Sequence, residues 1–277
     1  MLIGVTGATG EVGGRVARRL AERGLPQRLI VRDTARAPAL EGAEVRMASS
    51  YGAREEMAEA LTGVETLFLV PGRESADRVD QHRAVVEAAA SAGVARLVYL
   101  SFVGASDSSF TLGREHGATE EIIRASGLAW VFPRMNLYMD FIPSMAGEDG
   151  VIRGPAGDGR LAAVLREDVA EAVAAVLAEP GRHEGRAYGL TGPSAFSLAD
   201  AAREMSRAWG RRIEYVDETL DEARASRASF GAPDWEVEAW ISSYVAIARG
   251  ELEAVSGDFE RLTGHPPTSL AEYVSRT

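Results

Sequence analysis

Thr6-Gly7-Ala8-Thr9-Gly10-Glu11-Val12-Gly13 is the stretch that decides the fold. It follows a short apolar run, residues 2–5, and opens an amphipathic stretch, residues 12–23. A glycine turn set between a first strand and a first helix is the context in which this spacing binds a dinucleotide. Gly7 permits the tight turn, Gly10 lets a diphosphate approach the backbone, and Gly13 lets the helix lie close on the sheet. The helix amino end adds free N–H groups and a positive dipole end, so Thr9, Glu11 and Val12 join the expected phosphate site. The plainer alternative is a turn with no ligand.

The rest of the chain supports the first reading. Apolar runs at residues 28–31, 44–47, 66–70, 96–100 and 129–133 alternate with helical patterns at 54–61, 76–92 and 114–125. Continuous apolar runs suit strands buried on both faces, and strand–helix alternation predicts a parallel sheet covered by helices. Gly24, Gly63, Gly93 and Gly127 each stand just past a predicted helix, where a left-handed cap is common. The predicted class is therefore α/β, a Rossmann doubly wound parallel sheet with a smaller, mostly helical C-terminal lobe. Residues 1–192 are expected to form the nucleotide-binding core, with 134–160 lining a substrate crevice, and 193–277 the lobe. Within the later half, 150–159 reads as turn-rich with no strand assigned, 161–165, 186–190 and 212–216 as strands, and 167–178, 197–209, 218–230 and 233–249 as helices. Asp168 is read as a helix N-cap.

Composition narrows the chemistry. The formal charge is −11, and all 30 basic residues are arginine. With no lysine and no cysteine, Schiff bases, a P-loop lysine, thiolate catalysis and zinc–cysteine sites are ruled out. The acidic balance argues against a nucleic-acid partner. No apolar run approaches a membrane span, and Met1-Leu-Ile-Gly-Val-Thr-Gly7 enters a strand at once. A cytoplasmic protein with no membrane partner is expected. The four histidines show no metal spacing, so no metal is expected. Oligomeric state stays open, with a homodimer the first expectation.

The second strand ends Val31-Arg32-Asp33, where the adenosine ribose is read. Arg32 in the leading position favours the extra phosphate of NADP, so NADPH is the expected cofactor. Pro71 and Gly72, after the fourth strand, are expected on the adenine or ribose side. An apolar slot for an acceptor is expected from Phe102, Phe110, Met135, Tyr138, Met139, Phe141 and Met145, with Trp235, Trp240 or Tyr244 from the lobe.

Several motifs occur together in order: Thr6-Gly-Ala-Thr-Gly-x-x-Gly13, Val31-Arg32, Arg96-Leu-Val-Tyr-Leu-Ser101, and Glu115-His116-x-x-Thr119-Glu120. Further on stand Arg134-x-Asn136-x-Tyr138-Met-Asp140, Arg166-Glu-Asp168-Val-Ala and Leu262-Thr-Gly-His265-Pro-Pro. In these the chain resembles the NmrA-like atypical short-chain dehydrogenases/reductases, on the branch of type 2 quinone oxidoreductase and triphenylmethane reductase. The resemblance covers essentially the whole chain. It implies an NADPH-dependent reductase without flavin, and it places Ser101, Phe102, His116, Pro133, Arg134, Met135 and Asn136 near the nicotinamide.

The usual Tyr-x-x-x-Lys dyad of short-chain dehydrogenases is absent, because the chain has no lysine. His116 stands where aryl-reducing relatives keep an active-site lysine. Three roles are open for it: holding the nicotinamide or ribose, donating a proton, or lying solvated in a first helical turn. Glu120, one turn on, is expected to orient it. Tyr138 is a candidate donor to an acceptor oxygen. A quinone asks little of such a site, since its reduced anion is delocalised and water supplies the proton. The expected function is hydride transfer from NADPH to a quinone or similar aromatic acceptor. The alternative is a cofactor-binding redox sensor with little turnover.

Overall fold

The computed structural model describes residues 1–105 and 107–277. The chain enters a parallel sheet through β1 (Ile3–Thr6), turns into α1 (Glu11–Glu22), and returns by β2 (Gln27–Val31) and β3 (Ala43–Met47). α2 (Arg54–Leu61) leads to β4 (Thr66–Leu69), and α3 (Arg78–Ser91) leads to β5 (Arg96–Tyr99) and a short β6 (Ser101–Phe102). α4 (Thr111–Ala125) then leads to β7 (Ala129–Met135). After α5 (Ile142–Met145), β8 (Val151–Gly154) and β9 (Arg160–Leu161), α6 (Arg166–Ala178) carries the chain back to β10 (Arg186–Leu190).

The sheet order is β10-β7-β5-β4-β1-β2-β3, with β6 extending the pairing of β7. All its pairings are parallel. β1 is flanked by β2 and β4, with Ile3 opposite both Gln27 and Thr66. The order reverses between β1 and β4, so a crevice opens at their carboxyl ends. β1, β2 and β4 are buried at every position, which is why their sequences run apolar rather than alternating. The six predicted core strands are found with ends shifted by a residue or two.

Helices cover both faces. On one face Val12, Val16 and Leu20 of α1 pack with Val169, Val173 and Val176 of α6 over β1. On the other, Met57 and Leu61 of α2, Val85 and Ala89 of α3 and Ile123 of α4 cover β4 and β5. Each such fully buried aliphatic side chain stabilises the fold by about 1.5–3 kcal/mol.

The remaining chain forms β11 (Phe196–Ser197), α7 (Leu198–Trp209), β12 (Glu214–Asp217), α8 (Leu220–Arg227), α9 (Asp234–Ala248), α10 (Asp258–Thr263) and α11 (Leu270–Val274). β12 pairs with β8 in parallel, and β11 with β9 antiparallel. Ile152, Leu161, Phe196, Leu198, Ile213 and Ile247 share a separate apolar cluster. Phe259 of α10 instead packs in the cluster of α1 and α6.

Three expectations are corrected. Residues 150–159 are not all turn, because β8 lies inside them and pairs with β12, a partner too distant in sequence to be read locally. Only Leu161 of the predicted strand 161–165 is in a strand. Beyond it Ala162 N–H donates to Leu252 O (2.8 Å) and Val164 N–H to Leu137 O (3.0 Å), both irregular chain. Residues 218–230 split into α8 and a separate 3-10 turn, Ala228–Phe230, which ends at Gly231 in the left-handed region. Among the described residues no helix is long and apolar enough to cross a membrane.

Candidate active site

The glycine turn sits at the crevice. Gly7 has φ of 64°. A Cβ on Gly13 would stand 2.3 Å from Gly7 O and 2.9 Å from Thr6 O, so α1 rests directly on the turn. No side chain caps α1, whose N-cap is Gly10, so the amides of its first turn remain open to a ligand. Thr6 Oγ1 accepts from Val70 N–H (2.9 Å) and donates to Phe68 O (3.3 Å), which ties β1 to β4 across the point of reversal. Thr9 and Glu11 are exposed, and Glu11 pairs with Arg15. These features fit a dinucleotide diphosphate, because a side chain at Gly13 would displace the cradle.

Arg32 is exposed at the carboxyl end of β2. It does not pair with Asp33, whose carboxylate accepts from Ala35 N–H (3.0 Å) and caps the following 3-10 turn. Tyr51 is half-buried, and its hydroxyl donates to Val70 O (2.7 Å).

A buried polar network closes the floor. Arg78, 5% exposed, opens α3. Its Nε–H donates to Gly72 O (2.9 Å), its Nη1 pairs with Glu115 Oε2 (2.7 Å), and its Nη2 lies 3.5 Å from His116 Nε2. His116 Nδ1 lies 2.9 Å from Tyr99 Oη. A guanidinium only donates, so the facing Nε2 presents its lone pair and Nδ1–H donates to Tyr99. The same logic fixes His82: its Nε2 accepts from Gly72 N–H (2.9 Å), leaving Nδ1–H for Thr119 Oγ1 (2.9 Å). Thr119 then donates to Glu115 O (2.9 Å).

Burial, and then the charge of Arg78, hold the His116 imidazole well below its usual pKa. The same two causes bring His82 down to about 3. His116, 1% exposed, is not solvated, and its ring nitrogens face Tyr99 and Arg78 rather than Glu120. That expectation is corrected: Glu120 Oε1 takes Ser101 Oγ–H (2.6 Å) and Arg134 Nε–H (2.8 Å), and its Oε2 takes Arg134 Nη2 (2.6 Å) and Arg124 Nη2 (2.8 Å). One helical turn brings Glu120 and His116 near, but two arginines saturate the carboxylate.

The other predicted residues divide by environment. Pro71 and Gly72 are half-buried in the loop after β4, with both backbone groups of Gly72 held from α3. Pro133 is buried in β7 opposite Tyr188, and Met135 is half-buried at that strand's end. Asn136 is spent on structure, donating Nδ2–H to Leu252 O (2.9 Å). Tyr138 is half-buried with the Arg166 guanidinium 4.4 Å from its ring centre. Its hydroxyl makes no hydrogen bond to another described residue, and burial raises its pKa. Phe102 stacks near His116 at 6.0 Å and meets Phe110 edge-on, both buried, and Met139 is buried too. Tyr244 packs on Gly154, where a Cβ would meet its ring at 2.2 Å, inside the lobe.

Asp168 is not an N-cap. Its carboxylate accepts from Thr268 N–H (2.8 Å) and Thr268 Oγ1 (3.1 Å), anchoring the C-terminal segment. The amino end of α6 is served by Asp140 instead, which accepts from Arg166 N–H (2.8 Å).

Arg78 and His82 escape a motif-based reading, and Tyr99 and Thr119 stand in the quoted motifs without an assigned role. A signal was present in α3: Arg78 and His82 fall on its buried stripe with Val85, Val86 and Ala89. Polar residues at apolar positions of a helix mark a buried network. α9 reaches the start of α4, where Ser242 Oγ accepts from Thr111 N–H (3.2 Å).

Known proteins resemble this arrangement. The NAD(P)H-binding family profile matches residues 7–180. Over 281 residues the chain is 37% identical to quinone oxidoreductase 2 of Escherichia coli (strain K12), covering 99% of this chain and 98% of that one. The crystal structure of that NADPH-dependent quinone oxidoreductase, complexed with NADPH, matches at a TM-score of 0.92 over 100% of this chain and 99% of the other. NAD(P)H azoreductase of Xenophilus azovorans is 33% identical over 98% of this chain and 96% of its own length. Citrobacter sp. triphenylmethane reductase complexed with NADP(H) matches at a TM-score of 0.89 and 32% identity, covering 99% of each chain. The chain belongs to the NAD(P)H-binding family, among the relatives of quinone oxidoreductase 2 and triphenylmethane reductase.

Proposed function

We propose that this NAD(P)H-dependent reductase uses NADPH and passes hydride directly to a quinone or similar aromatic acceptor, without flavin and without a Tyr-x-x-x-Lys dyad. The observation that carries the proposal is the occupation of His116 on both ring nitrogens, by Tyr99 and Arg78. With no lysine in the chain and this imidazole held neutral, the site has little capacity for acid catalysis. An acceptor that takes hydride readily and leaves a delocalised anion suits it. The relatives named for quinone and azo reduction support the same acceptor class.

When bound, the nicotinamide supplies the hydride. Gly7, Thr9, Gly10, Glu11, Val12 and Gly13 hold the diphosphate through the turn and the uncapped helix end. Arg32 takes the additional phosphate of NADPH, and Pro71 and Gly72 border the adenosine side. His116 positions the nicotinamide end from below, together with Phe102, Pro133 and Met135. Ser101, Arg134 and Asn136 act through the bonds they make within the wall rather than by contact with the acceptor. Arg78 places a buried positive charge beneath the crevice, where it favours negative charge developing on the acceptor. Tyr138, protonated and with a hydroxyl uncommitted among the described residues, donates a hydrogen bond to the acceptor oxygen while water supplies the proton.

The test is NADPH consumption against a panel of quinones, azo dyes and triarylmethane dyes, with NADH in parallel. Turnover with at least one acceptor and preference for NADPH are expected. Tight NADPH binding with no turnover on any of them would replace this reading with that of a redox sensor.

A further inference from the structure

A quinone is an electrophile as well as a hydride acceptor, and it adds to protein thiols and amines. The chain has no cysteine and no lysine. That leaves the amino terminus and four histidines as candidate nucleophiles. Their lone pairs differ sharply. His82 and His116, 0% and 1% exposed, have both ring nitrogens engaged. His265 is exposed, but its Nδ1 contacts Pro266 O (3.0 Å) and its Nε2 contacts Glu171 Oε1 (2.9 Å), and the hydrogen bond to Glu171 raises its pKa. Both partners only accept, so both of its ring nitrogens bear hydrogen and neither has a lone pair to add.

His183 is the exception. It is half-buried, only its Nδ1 is engaged, by Tyr188 Oη at 2.7 Å, and burial lowers its pKa. Its Nε2 has no partner among the described residues, and it carries the lone pair in the tautomer whose Nδ1–H donates to Tyr188 Oη. His183 closes a 3-10 turn just ahead of β10. The strands are parallel, so His183 stands at the amino edge of the sheet. The glycine turn and the crevice stand at the carboxyl edge.

We propose that electrophilic acceptors modify this protein only at His183 and at the amino terminus, and that the crevice itself forms no adduct. In the addition the nitrogen lone pair forms a C–N bond to a quinone ring carbon, and the ring electron pair moves to oxygen. The proton shed by the amine, or by Nδ1 of the imidazole once Nε2 has bonded, and the displaced ring proton end on the two oxygens, giving a substituted hydroquinone with no outside oxidant or reductant. The biological meaning rests on the quinone-reductase reading: the enzyme handles a reactive acceptor without being alkylated where it works. The chemistry does not rest on that reading.

The experiment treats the whole protein with p-benzoquinone near neutral pH, without NADPH, and maps adducts by intact mass and peptide analysis. Adducts at the amino terminus and His183 are expected, with reductase activity unchanged afterwards. His183→Gln removes one adduct. An adduct on His82, His116 or His265, or an unmodified His183, overturns the proposal. Met135→Cys sets a thiol at the carboxyl edge, and this variant is expected to be labelled and to lose activity in proportion. Labelling of that cysteine with no loss of activity overturns the placement of the acceptor, while the wild-type adduct map still stands or falls on its own. Absence of turnover with any quinone likewise defeats the functional reading without touching the map.

Discussion

Arg78 Nη2 stands 3.5 Å from His116 Nε2, with both side chains buried. A cation placed against a neutral imidazole keeps that ring unprotonated and fixes which nitrogen bears its hydrogen. The same guanidinium holds Gly72 O, in the loop after β4. One residue thus links that loop to α4.

Arg78→Gln removes the charge. The His116 pKa is expected to rise, read from the ring-proton shifts in NMR against pH. kcat is expected to fall at least about 10-fold, as when one preorganised charge stabiliser is lost. Arg78→Lys keeps the charge but loses the fork geometry, so it should recover the titration more than the rate. An unchanged His116 titration in Arg78→Gln would show that the two side chains do not interact in solution.

Arg32→Ala is expected to weaken NADPH and spare NADH. Loss of a charge-assisted phosphate contact costs about 2 kcal/mol, roughly 30-fold in KM for NADPH. The check is the ratio of kcat/KM for the two cofactors. Equal losses would reject the assignment.

Gly13→Ala puts a methyl group 2.3 Å from Gly7 O. The helix must shift away from the turn, at a stability cost of about 1–3 kcal/mol. Thermal unfolding should report the lower stability, and NADPH fluorescence titration should report lost binding. Native-like affinity would mean that the turn does not carry the diphosphate.

Acid should destabilise the fold through His82 and His116. Their folded-state pKa values are lowered, His82 to about 3. Unfolded, each ring titrates near 6.5. Below that pH the unfolded chain binds protons that the folded chain refuses. Stability then falls as pH drops, by about 1.4 kcal/mol per pH unit for each ring, and neither ring adds a slope above it. Urea unfolding between pH 7 and pH 5 should show a shallower decline for His82→Gln than for the natural chain.

Much of the fold is legible along the chain because its signals are local. Val5, Leu29 and Phe68 sit in runs with no polar alternation, and Gly13 sits where only a missing side chain fits. The site is legible only in part. Arg32 and His116 stand on recognisable motifs, but the contacts of Asp168 and Glu120 do not follow from theirs. Asp168 meets Thr268 and Glu120 meets Arg134, partners that spacing along one helix does not reveal.

The sequence by itself determined a parallel nucleotide-binding sheet, its glycine cradle and the absence of any amine or thiol side chain. These follow from residue type and short-range order. Tertiary structure alone decided what His116 is. Its partners come from β5 and the start of α3, brought together by sheet order, and burial between them makes the ring neutral. A lowered pKa is a property of the surroundings, and those surroundings are assembled only when the chain folds.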